Sequence, residues 1–104
     1  MEDGRGFIRF FSQLKARYIT EDKEKDWEEC TIINVNRKGV GVKFHTHEKI
    51  RVGSTILFEI SVTTEFEPVQ ATGILKWINE GENYFVGGIE FPELLDEDTF
   101  AKLG

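Results

Sequence analysis

The chain has 104 residues, is 39% hydrophobic and 31% charged, and carries a formal net charge of −6. That length supports one hydrophobic core and one domain, and the composition is globular rather than disordered. No apolar run approaches the roughly 20 residues of a membrane span, and the single cysteine, Cys30, excludes an internal disulfide or a multi-cysteine zinc site. The acidic balance argues against DNA or RNA as a partner, because polymer binding needs many cations facing phosphates. With no secretory signal pattern at its start, the sequence reads as a soluble cytoplasmic domain with no membrane insertion.

In chain order, residues 1–11 read as a flexible N-terminal arm. Leu14, Ala16 and Tyr18 then alternate with Lys15 and Arg17, the pattern of a half-buried strand. Residues 21–26 form a charged loop. Trp27 to Val35 reads as a second strand, and Asn36-Arg37-Lys38-Gly39 as a turn. Val40 to His45 is a third strand, with Val40, Val42 and Phe44 on one face. After the Gly53-Ser54 turn, Ile56, Phe58, Ile60 and Val62 alternate with Thr55, Glu59, Ser61 and Thr63, the clearest strand of the chain. Glu65 to Pro68 breaks it. Val69, Ala71, Gly73, Leu75 and Trp77 alternate as the fifth strand, with all five on one face. Glu80 to Asn83 closes a hairpin, and Tyr84 to Phe91 is the last strand. Only the tail reads as helix, with Asp96, Glu97 and Asp98 suited to its N-terminus and Phe100 and Leu103 to docking it. The expected fold is mainly β: a small six-stranded antiparallel barrel over 12–91, then a short C-terminal helix within 92–104, all in one domain.

Charge is unevenly distributed. Residues 1–18 carry four basic and two acidic groups, and residues 34–51 carry five basic and one acidic. Those two segments hold nine of the thirteen cations. A fold that joins them makes a local anion site on an acidic body, suited to a small anionic ligand more than to a polymer.

Two short motifs lie in those segments. Arg5-Gly6-Phe7-Ile8-Arg9 places two arginines four apart just before the first strand. Guanidinium groups can bond phosphate oxygens or a guanine O6/N7 edge in pairs, and can stack on a base. Asn34-Val35-Asn36-Arg37-Lys38-Gly39 lies at a strand end and its turn. Asparagine offers both donor and acceptor to a base edge. Arg37 and Lys38 add attraction for phosphate, and Gly39 supplies permissive backbone and room for close approach.

With these motifs in this order, the chain resembles the PilZ domain family. Arg5 and Arg9 match its R-x-x-x-R motif. Asn34 and Gly39 match the first and last positions of its [D/N]-x-S-x-x-G motif. Gly73 to Trp77 and Gly87 to Phe91 match two of its barrel strands, so the resemblance runs from about Arg5 to the end. It implies a PilZ-like barrel that binds cyclic di-GMP, a dianion with two guanines. Arg5 and Arg9 would be the clamp, Asn34 a reader of the guanine edge, and Asn36, Arg37 and Gly39 the rest of the ligand turn. It also implies signalling through a protein partner, with the ordering of the arm as the signal, and no further cofactor. The family's serine is Asn36 here, which supports an alternative: a degenerate PilZ-like adaptor that binds a protein and no nucleotide.

Other residues read plainly. His45 and His47 share a strand face, but no third metal ligand is evident. Cys30 follows Glu28 and Glu29, surroundings that do not activate a thiol. Trp27 and Trp77 read as core or barrel-rim packing. No nucleophile elbow or phosphate-binding loop is present, so no enzyme is expected.

Overall fold

The computed structural model describes residues 10–21, 26–46, 48–63 and 65–103. It contains strands β1 (Phe10–Thr20), β2 (Glu28–Val35), β3 (Gly39–Phe44), β4 (Thr55–Ile60), β5 (Val69–Glu80) and β6 (Phe85–Glu90), then helix α1 (Glu97–Leu103). All six neighbouring pairs are antiparallel, and they close into a barrel in the order β1-β2-β3-β6-β5-β4. The expected six-stranded barrel with a C-terminal helix is therefore observed. β1 starts at Phe10, ahead of the alternation that begins at Leu14, because its first residues pair with the end of β2.

Alternation fills the interior. Ile56, Phe58 and Ile60 of β4 are fully buried, and so are Ile32, Val42, Phe44 and Leu75 from their own strands. Tyr18 meets Phe44 edge to face, with ring centroids 4.9 Å apart. Burying such side chains contributes about 1.5–3 kcal/mol each, and the short strands hold together through this shared core.

Helix α1 and the segment before it add to the core. Leu103 is buried, and Phe100 and Leu95 pack against the core. Asp96 caps the helix: its Oδ1 accepts the Thr99 N–H at 2.7 Å. That bond holds the Asp96 carboxyl below its ordinary pKa. Glu97 and Asp98 in the first turn and Lys102 in the last suit the helix dipole.

The candidate ligand site

The site is built on the outer surface of β2, β3, β6 and β5. The strand register aligns Asn34 with Gly41, Gly41 with Gly88, and Gly88 with Trp77. One row thus crosses four strands, with an asparagine at one end, an indole at the other and two glycines between. The Asn34 side chain lies over Gly41, and the Trp77 indole lies over Gly88. A Cβ on either glycine would run into them. Asn34, Asn36, Gly39, Trp77 and their neighbours line a shallow groove of about 220 Å³.

Both ends of this row depend on an irregularity. In β2 the register slips between Ile32 and Asn34, and in β5 between Leu75 and Trp77. An extra residue at a β-bulge turns the following side chain to the opposite face. Strict alternation puts Trp77 on the same face as buried Leu75, which is how the sequence reads. The bulge instead leaves Trp77 outside and 48% exposed. Trp77 is thus the main residue that sequence reasoning missed, because a bulge leaves no mark in an alternating pattern.

The turn residues divide into two groups. Asn36 Oδ1 accepts the backbone N–H groups of Lys38 and Gly39 at 2.7 and 2.9 Å, so its acceptor is engaged within the turn. Among the described residues its Nδ2 has no hydrogen-bond partner. Arg37 does not line the groove. Its Nε donates to the Leu95 carbonyl at 2.8 Å, and the Leu95 N–H donates to the Arg37 carbonyl at 2.8 Å. The Phe91 N–H also donates to Lys38 O. These bonds fasten the turn to the segment leading into α1.

Gly39 departs from the expected reason for a glycine. Its φ is not positive; Gly53, at φ 96°, holds the positive value among the described glycines. Gly39 is required by space: a Cβ there would collide with the Ile89 backbone carbonyl on β6.

Arg5 and Arg9 lie outside the described residues. The start of β1 is described, and Phe10 pairs with Val35 and Phe11 with Asn34. The peptide that follows Arg9 therefore enters the barrel beside Asn34 and Asn36.

Other candidates lack this arrangement. His47 lies outside the described residues, and His45 Nε2 sits 2.9 Å from Thr31 Oγ1. Among the described residues no group of three His, Cys, Asp or Glu converges on one point. Burial pushes the Cys30 thiol up to about 12. Three larger depressions, of about 360, 550 and 650 Å³, lie elsewhere, the two largest lined by charges of both signs. None contains a motif residue. Among the described residues no helix is long and apolar enough to cross a membrane.

No family model matches the sequence, and no curated protein matches it. Among solved structures, the chain is similar to the Bacillus subtilis inhibitor of motility, MotI/DgrA, with a TM-score of 0.73 at 16% identity. The match covers 98% of this chain and 49% of that one, so this chain spans about half the length of its structural neighbour. A likeness at that identity concerns the fold, and the fold is a PilZ-like barrel.

Proposed function

We propose that the protein is a cyclic di-GMP receptor that passes the level of this second messenger to a protein partner. The observation that carries the reading is the pairing of Phe10 with Val35, which brings the arginine motif's exit beside the asparagine turn. Of the described cations in the two net-positive segments, Lys38 lines this groove, while Lys15 and Arg17 line one of the larger depressions and Lys49 and Arg51 another.

Each residue has a chemical task in this reading. Arg5 and Arg9 clamp the phosphates and guanines from the arm. Asn34 offers its amide to a guanine edge. Asn36 donates through Nδ2 while its Oδ1 holds the turn. Gly39 keeps the turn close against β6. Arg37 acts as a positioning residue through Leu95 rather than as a ligand contact. Trp77 offers an apolar wall on which a base can stack. The groove is smaller than the roughly 300–1,000 Å³ of most ligand sites, so the arm supplies the missing wall. No enzymatic step is assigned. A regulatory role of this kind accords with a structural neighbour that is itself an inhibitor of motility.

Isothermal titration with cyclic di-GMP, beside Arg9→Ala and a GTP control, tests the reading. Saturable and selective binding that Arg9→Ala loses is the expected result. Absence of saturable binding overturns it. The second reading, an adaptor that binds no nucleotide, is favoured by one observation: the Asn36 acceptor is already engaged. A large gain in affinity in Asn36→Ser would show a site that has drifted from nucleotide binding.

A further inference from the structure

Beyond the Asn34–Trp77 row, three charged side chains rim the groove. Lys38 Nζ lies 3.6 Å from Glu90 Oε2, and Lys76 Nζ lies 3.6 Å from Glu90 Oε1. One carboxylate thus faces two ammonium groups, one from the ligand turn and one from β5. All three residues line the groove. The same bulge that turns Trp77 outward lies at Lys76, so two consecutive β5 residues face the site. Glu90 shares the outer face of β6 with Gly88 and pairs with Gly39, which has no side chain to separate it from Lys38.

These ion pairs are loose. At 3.6 Å they are longer than the roughly 2.7–2.9 Å of a charge-assisted hydrogen bond, and Glu90 is 40% exposed. Elsewhere on the barrel, Arg17 Nη2 holds Glu59 Oε1 at 2.7 Å. A carboxylate held loosely between two cations can be exchanged for another anion of similar size. A phosphodiester oxygen pair is such an anion.

We propose that Lys76, together with Lys38, receives a phosphate of the ligand, and that Glu90 is the internal anion this phosphate displaces. The assignment rests on the nucleotide-binding reading and adds two residues to it. Lys76 is a ligand contact, and Glu90 sets the affinity threshold. Removing the Glu90 charge leaves both lysines free and tightens binding. Removing Lys76 weakens binding and makes it less sensitive to salt, because a charge contact has been lost.

The test is titration of cyclic di-GMP into the full chain and the variants Glu90→Gln, Lys76→Ala and Lys76→Arg, at low and high sodium chloride. Expected are a roughly threefold to tenfold gain for Glu90→Gln and a similar loss for Lys76→Ala, the scale of one partly screened charge. Lys76→Arg keeps the affinity, and Lys76→Ala flattens the salt dependence. Tight wild-type binding with both Glu90→Gln and Lys76→Ala unchanged overturns this inference and leaves the nucleotide reading intact. Binding by Glu90→Gln alone supports the inference, with Glu90 holding the site shut. No binding by wild type or Glu90→Gln overturns both.

Discussion

Two outward-facing rows cross this barrel, and they are built oppositely. In the row over β1, β4 and β5, Arg17 pairs with Glu59 and Glu59 with Gln70 in the strand register. Their side chains bond one another: Arg17 Nε donates to Glu59 Oε1 at 2.8 Å, and Gln70 Nε2 donates to Glu59 Oε2 at 3.2 Å. The Arg17 guanidinium also lies 4.6 Å from the centroid of Trp27. In the row over β2, β3, β6 and β5, two of the four positions are glycine, and the remaining pair, Asn34 and Trp77, cover them. The first row satisfies its polar groups internally. The second leaves an amide and an indole to meet something else. A groove on a barrel this small is made by withholding side chains as much as by supplying them.

Filling the glycines is the sharpest way to break this contrast. Gly39→Ala places a methyl against the Ile89 carbonyl, which is backbone and cannot swing aside. A loss of about 1–3 kcal/mol in urea unfolding is expected. Gly41→Ala meets instead the Asn34 amide, the end of a movable side chain. It should cost little stability and act on ligand affinity, and a large stability loss there would show the row to be structural.

Trp77→Ala should separate the rows next most strongly. Its side chain is half exposed, so thermal stability changes little. Cyclic di-GMP affinity falls about tenfold or more, since base–aromatic stacking is worth about 1–3 kcal/mol per base. Unchanged affinity would remove the indole from the site.

Glu59→Gln probes the self-satisfied row and should change stability slightly and nucleotide affinity not at all. Its hydrogen bond from Arg17 holds the Glu59 carboxyl below its ordinary pKa. The stability it adds is therefore present above the ordinary carboxylate pKa and is lost as pH falls through the lowered value. Thermal melts at neutral and acidic pH should show the gap between wild type and Glu59→Gln closing on acidification. The smallest effect belongs to Cys30, buried in β2 with its thiol pushed up to about 12. A thiol reagent at pH 8 should leave it unmodified until denaturant is added.

The strands were legible because their interior alternates: Ile56, Phe58 and Ile60 show the inward period directly. The helix was legible from Asp96 and its acidic neighbours. The site was legible only where it coincides with a turn. Asn34, Asn36 and Gly39 stand in one short stretch, and the structure brings Asn34 and Asn36 into one groove with Gly39. Lys76, Trp77 and Glu90 come from β5 and β6, far along the chain from that turn, and their approach to it needs two bulges and a closed register that no local pattern encodes. Arg37 carries a contact that no local pattern encodes: the return of the chain at Leu95 gives its Nε a partner 58 positions away.

The closure of the barrel has one more consequence. β1 pairs with both β2 and β4, so each described strand has a neighbour on either side over at least part of its length. Many signalling modules recruit an extended peptide by adding it as a further strand, with backbone hydrogen bonds supplying the affinity. Where its strands are paired on both sides, this barrel offers no such seam. Anything that docks on those stretches must read side chains and shape, which substitution can change without disturbing the sheet.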